Sequence, residues 1–347
     1  MPDRVRFLFF TLGDQRVASS RVRAYWVCEA LERLGATCRI FPGPALRRFP
    51  SAIRAIFQSD IVVFQKRFSP RHRVLAHIAR LLGKSIYFDI DDAPSRNSGS
   101  AAYPGAIAMA KLSDGVFAGS EALRDWASKY NPSVVLVETR LDVARYPVRS
   151  NSDLKKKLCI GWVGNGQDYQ DDLIDILGPA LDKLAARVDF HFKIVGGCDC
   201  ENLHHFFGPG RPYDVEIIDQ IDWSDPSAFV SAVGVFDIGV YPLEVSRFNA
   251  QKCGFKALEY MALGLPVIAS NVGCLDKIVA AGASGHLVSD PDEWDAALLD
   301  VATRPAFRSE MGKEGRRIVE ERYAVELSAA AILEAVTRSP KAIATGA

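Results

Sequence analysis

Short apolar runs rich in β-branched and aromatic residues alternate with longer stretches of helical periodicity along the whole chain. In the first half the runs predict strands over 5–11, 37–41, 60–64, 85–90, 115–118 and 134–137. Helices are expected over 20–34, 71–82, 103–112 and 121–129. A Pro-containing polar stretch with a lysine run, 146–157, reads as a linker. A second series of strands follows, over 158–163, 190–195, 215–218, 238–241, 267–269 and 286–288, and 324–338 reads as a closing helix. Alternation of this kind is the signature of parallel α/β sheets.

A chain of 347 residues exceeds the usual size of one domain. The expected division is 1–150, 151–323 and a C-terminal helix and tail, 324–347. Hydrophobic residues at 48% and charged residues at 24% describe an ordinary globular protein. No apolar run approaches the roughly 20 residues that cross a bilayer. Phe-Leu-Phe-Phe at 7–10 is too short for a signal peptide and follows Arg4 and Arg6, so a buried first strand is expected. Seven scattered cysteines suggest free thiols in a cytoplasmic protein.

The net charge of zero hides an asymmetry. Residues 1–150 carry 23 Lys and Arg against 13 Asp and Glu, and residues 151–347 carry 19 against 29. Arg67, Arg71, His72, Arg73, His77, Arg80 and Lys84 gather around one expected helix. Such a face is either solvated or makes peripheral contact with an anionic membrane. Nucleic acid is not an expected partner.

The richest segment is 241–272. It reads as a strand end, a polar loop, a helix ending in Gly-Leu-Pro and a second strand. Lys252, Lys256 and Glu259 stand at spacings of four and three, which on a continuous helix share one face. Helix N–H groups and two ammonium groups would receive a diphosphate, and a carboxylate would receive a diol. That is the layout for a sugar nucleotide. The plainer alternative is an apolar stripe packing the helix on its sheet, with solvated lysines behind.

FKALEYMALGLPVIAS at 255–270 is followed by Gly273, by GHLV at 285–288 and by RSEMGKEGRRIVEERY at 308–323. Together these resemble the C-terminal half of GT-B glycosyltransferases, most of all the large retaining group numbered family four. The likeness covers about residues 158–325 well and the first half in outline. It implies an α/β fold of two Rossmann-like domains facing across a cleft, with the terminal helix crossing back to the first. It further implies a nucleoside-diphosphate sugar held by the second domain, an acceptor approached from the first, and no metal or other cofactor.

Two departures stand out. The Glu-x7-Glu signature of that group keeps its second member at Glu259 but has Gln251 as its first. The basic residue expected after the first strand of the second domain is replaced by Gly164-Asn165-Gly166-Gln167-Asp168. Gly164 and Asn165 then offer backbone N–H groups to the donor, and phosphate charge falls on Lys252 and Lys256, joined by Arg247. After the first strand, Gly13, Arg21 and Arg23 are the acceptor-side candidates, with Ser19 or Ser20 as a helix cap.

Asp89, Asp91 and Asp92 end a strand, where acids need a partner. Asp89 and Asp91 could hold a divalent metal, as in metal-dependent phosphatases. The family-four resemblance implies instead that Asp91 and Asp92 fall on a His-Asp pair that meets the donor sugar or the acceptor hydroxyl. A helix cap by Asp92 is the bland alternative. The resulting expectation is a glycosyltransferase of cell-surface polysaccharide or glycoconjugate synthesis, acting on a glycan or lipid-linked acceptor with Asp91, Asp92 and Lys252 as catalytic candidates. A phosphatase and a non-catalytic nucleotide- or glycan-binding scaffold are the alternatives.

Overall fold

The computed structural model describes residues 4–43, 49–92, 94, 102–148 and 157–338. The chain forms two compact units. One comprises Met1–Asp142, Gln251–Cys253 and Tyr323–Ala347; the other comprises Val143–Ala250 and Gly254–Arg322.

The first unit is built on a parallel sheet of β1 (Arg6–Thr11), β2 (Thr37–Pro42), β3 (Ile61–Gln65), β4 (Ser85–Ile90), β5 (Gly115–Ala118) and β6 (Val134–Leu136), in the order β2-β1-β3-β4-β5-β6. Helices cover both faces, so the central strands are apolar at nearly every position rather than alternating. Phe7, Phe9, Phe10, Phe64, Phe88 and Phe117 are all fully buried. Phe10 pairs in register with Phe64, and their rings stack 5.1 Å apart. Edge strand β2 is half exposed and correspondingly polar.

The second unit carries β7 (Leu158–Val163), β8 (Phe190–Val195), β9 (Asp214–Ile218), β10 (Ile238–Tyr241), β11 (Val267–Ser270) and β12 (Gly285–Val288). Their order is β12-β11-β10-β7-β8-β9, again all parallel. Read from β9, this is the dinucleotide-fold order 3-2-1-4-5-6, whereas the first unit has the flavodoxin-like order. Trp162, Phe190, Phe192 and Trp294 fill the core of the second unit.

The terminal helix Val325–Thr337 belongs to the first unit, where it packs on the helix Trp26–Arg33. A bridge between Leu141 and Ala324 and the Arg33–Glu326 ion pair at 2.7 Å fasten it there. The expected linker falls largely on 149–156, outside the described residues. Tyr146 at its start is no linker residue: it is buried against Phe229, and Arg316 binds its carbonyl.

Sequence and structure differ in two further places. Ser20 does not cap a helix; the helix starts at Ala18, and the Ser20 hydroxyl accepts instead from the Gly13 amide. The expected helix over 20–34 contains a widened π-turn, Arg21–Tyr25, before it continues as Trp26–Arg33. Such turns are often found at functional sites.

Candidate active site

In open α/β sheets a crevice forms at the carboxyl ends of the two strands where the order reverses. In the second unit these strands are β7 and β10. They pair at Ile160–Ile238 and Gly161–Gly239 and then part. The Tyr260 hydroxyl fills the gap, accepting from the Val163 amide at 2.9 Å and donating to the Val240 carbonyl at 3.3 Å. A buried side chain thereby satisfies backbone groups that the diverging strands leave open.

Beyond Val163 the Asn165 side chain accepts from the Gln167 amide and caps the helix that opens at Gly166. Lys256 is delivered to this loop from the other side of the crevice. Its Cε lies 2.5 Å from where a Cβ on Gly164 would stand, a distance that only glycine permits. Its ammonium sits 3.7 Å from the Tyr169 ring centroid, 5.0 Å from that of Tyr241 and 5.7 Å from that of Trp162. Three aromatic faces attract the cation and restrict its swing. The positive charge missing from the sequence after β7 is thus supplied in space by Lys256. Glu259, on the same helix, is 5% exposed, and its Oε1 accepts from the Tyr146 hydroxyl at 3.1 Å. Arg247 lies exposed on the loop after β10.

Lys252 requires a correction. The helix is Phe255–Ala262, because Gly254 takes the left-handed conformation (φ +64°) and stops it from extending backward. Lys252 therefore does not share a helical face with Lys256 and Glu259. With Gln251 it belongs to a three-residue segment grouped with the first unit, where the Ser120 hydroxyl meets the Gln251 carbonyl at 3.4 Å.

In the first unit the order reverses between β1 and β3. The loop at Gly13 is tied down by Gln65, which accepts from the Leu12 amide, and by Arg67, which donates to the Thr11 and Leu12 carbonyls. Arg21 donates to the Gln15 carbonyl and is largely buried. Arg23, expected to meet an anion, is instead 3% exposed and grips both oxygens of Asp89, at 3.2 and 2.5 Å. It also donates to the Val137 carbonyl. A carboxylate inside a strand buried on both faces must be paired, and this bidentate partner occupies the acid on which a phosphatase reading depends. Burial pushes the Asp89 carboxyl up, against the opposing pull of Arg23.

Asp91 and Asp92 meet a residue that sequence reasoning missed. Lys66 Nζ lies 2.7 Å from Asp92 Oδ2 and 3.4 Å from Asp91 Oδ1. Burial works against the charge of Lys66, but the two acids outweigh it and hold the ammonium above the usual lysine range. The signal available in the sequence was a lysine directly after a buried strand.

The basic cluster near the helix Pro70–Leu81 is thinner than its sequence suggests. Arg67 turns inward, His72 is buried, and Arg80 binds the Leu112 carbonyl. Cys198, Cys200 and His204 go to separate partners: the Gly196 carbonyl, Gln170 and Asp219. No helix among the described residues is long and apolar enough to cross a membrane.

Two Rossmann-like units, one with its terminal helix returned from the end of the chain, define a GT-B protein. Solved structures agree. Sucrose-phosphate synthase from Thermosynechococcus elongatus aligns with a TM-score of 0.71 at 17% identity, over 96% of this chain and 99% of that one. Anabaena HepE in complex with UDP-glucose aligns with a TM-score of 0.71 at 14% identity, over 96% and 100%. Residues 157–304 match the family described as glycosyl transferases group 1.

Among curated relatives, a GDP-mannose-dependent monoacylated alpha-(1-6)-phosphatidylinositol monomannoside mannosyltransferase of Corynebacterium glutamicum is 26% identical over 176 residues, 50% of this chain and 44% of that protein. A D-inositol 3-phosphate glycosyltransferase of Paenarthrobacter aurescens is 30% identical over 141 residues, 38% and 32%. The matched stretch spans less than half the length of either relative.

Proposed function

We propose that the protein transfers a sugar from a nucleoside-diphosphate sugar to a hydroxyl of a glycan or lipid-linked acceptor, with retention at the anomeric carbon. The observation that carries this reading is the delivery of Lys256 to the carboxyl end of β7, at the point where the second sheet reverses. A diphosphate seated there meets the Lys256 ammonium and the Asn165 amide, the Gly164 amide being committed to the Val195 carbonyl, as charge develops on the leaving group. Glu259, three residues along the helix, takes the ribose hydroxyls. Arg247 on the β10 loop adds positive charge, and Gln251 and Lys252 are further donor-side candidates. Asp91 and Asp92, with the Gly13 loop, are the acceptor-side groups. The scheme needs no metal or other cofactor, because protein cations neutralise the diphosphate.

The named donors of the relatives, GDP-mannose for the mannosyltransferase and UDP-glucose bound to HepE, support the donor class. The base, the sugar and a place in cell-surface glycan synthesis belong to the proposal. So does contact with an anionic membrane through the basic first unit, from the cytoplasmic side.

A panel of UDP-, GDP-, ADP- and dTDP-sugars, with diphosphate release and product mass as readouts, tests the reading. One donor should be consumed, and Lys256→Ala should slow the reaction about 10²–10³-fold. Nucleotide binding without consumption of any donor would favour the non-catalytic scaffold that Gln251 suggests.

A further inference from the structure

Gln65 ends β3 and Lys66 and Arg67 follow it, and consecutive side chains go to opposite neighbours. Gln65 and Arg67 bind the loop after β1, while Lys66 reaches the acids after β4. The backbone makes this possible by an uncommon conformation. Lys66 is left-handed, with φ +53°, although it is not glycine, and its amide still bonds the Asp89 carbonyl at 2.9 Å. Side chains rarely adopt that region, and where they do the strain tends to sit at functional sites.

Asp91 has the complementary peculiarity. It is 5% exposed, and its buried Oδ1 faces Lys66 Nζ at 3.4 Å, outside hydrogen-bond geometry; among the described residues Lys66 is the cation in ion-pair range. A buried carboxylate is costly unless a cation balances it. Arg23 is committed to Asp89, so Lys66 carries that balance.

We infer that Lys66 is a positioning residue, holding Asp91 ionised and oriented so that its carboxylate can accept a hydroxyl of the incoming acceptor. This rests on the transferase reading above, and it adds to that reading the group that keeps the acid in place. Lys66 itself need not touch the substrate. Asp92, half exposed, takes the closer bond from the ammonium and fixes its direction.

The test compares Lys66→Met, Lys66→Arg, Asp91→Asn and the Lys66→Met/Asp91→Asn double variant. Three readouts are taken: thermal unfolding, nucleoside diphosphate affinity, and kcat and KM for the acceptor. Lys66→Met should lower the melting temperature by several degrees, and the double variant should recover most of that loss, because the unbalanced charge is gone. Lys66→Met should reduce kcat/KM for the acceptor about tenfold or more, with nucleotide affinity unchanged, and Lys66→Arg should restore part of it. Should Lys66→Met not fold, Lys66→Gln, which keeps a hydrogen-bond donor without the charge, serves in its place. Wild-type acceptor kinetics in a folded, uncharged variant would overturn the inference. So would a double variant no more stable than Lys66→Met. A wild type that consumes no donor would instead sink the transferase reading, and the thermal comparison would still decide whether Lys66 balances Asp91.

Discussion

Replacing Gly164 by alanine adds one methyl group at the most crowded point of the second unit. That methyl would stand 2.5 Å from Lys256 Cε and 2.7 Å from two ring atoms of Trp162. Trp162 is fully buried in the core and cannot retreat, whereas Lys256 ends in a flexible stem. The lysine therefore moves, and its ammonium leaves the three rings. Overpacking of this kind costs about 1–3 kcal/mol of stability. The loss of a charge-assisted contact to phosphate costs about 1.5–3 kcal/mol more, in binding rather than folding. At about 1.4 kcal/mol per decade, nucleoside diphosphate affinity should fall roughly 10- to 150-fold.

Isothermal titration of UDP and GDP on the wild type, Gly164→Ala, Lys256→Ala and the double variant tests the cause. If the methyl acts by expelling the lysine, it has nothing left to expel in the Lys256→Ala background. The double variant should then match Lys256→Ala within about 0.5 kcal/mol. Two full, additive losses would show that Gly164 acts independently of Lys256. An undiminished affinity in Gly164→Ala would refute the placement of the lysine altogether.

Two further perturbations follow from buried polar groups. Tyr260→Phe strips the hydroxyl that serves both the Val163 amide and the Val240 carbonyl. With each orphaned group worth about 1–3 kcal/mol, urea unfolding should show a loss of at least about 2 kcal/mol, and a loss under 0.5 kcal/mol would contradict the wedge. His72 is held neutral by burial and by nearby Arg67, its pKa falling from 6.5 to about 4. The unfolded chain takes up that proton first, so stability drops as pH falls from 6.5 toward 4 and levels off below, by up to about 3 kcal/mol in all. His72→Gln should flatten the profile in that window, and an unchanged slope would rule the histidine out.

Strands were legible because a sheet buried on both faces demands unbroken apolar runs. Ser85–Ile90, Gly115–Ala118, Leu158–Val163, Phe190–Val195 and Ile238–Tyr241 all lie where hydrophobicity alone puts them. The helix Phe49–Phe57 escaped notice because Pro50 and the polar residues before it resemble loop punctuation, although proline is tolerated in a first helical turn. The candidate site was legible in residue type but not in partnership. Glu259 and Lys256 stand out on one helix, yet the Tyr146 hydroxyl comes from 113 positions away. Arg23 and Asp89 are 66 positions apart, and no local pattern announces that they will cancel each other. Lys66 was missed for a different reason: its reach depends on one left-handed backbone angle, which a lysine does not advertise. Lys252 was misplaced by the converse error, since a glycine two residues later interrupted the spacing that seemed to align it.

The central claim is that an ammonium at the reversal point of the second sheet grips a pyrophosphate. Titrating a nucleoside diphosphate and its parent nucleoside against the wild type and Lys256→Ala tests it most directly. The wild type should prefer the diphosphate by about tenfold or more, and Lys256→Ala should lose most of that preference while binding the nucleoside as before. An unchanged preference in a folded Lys256→Ala protein would contradict the account.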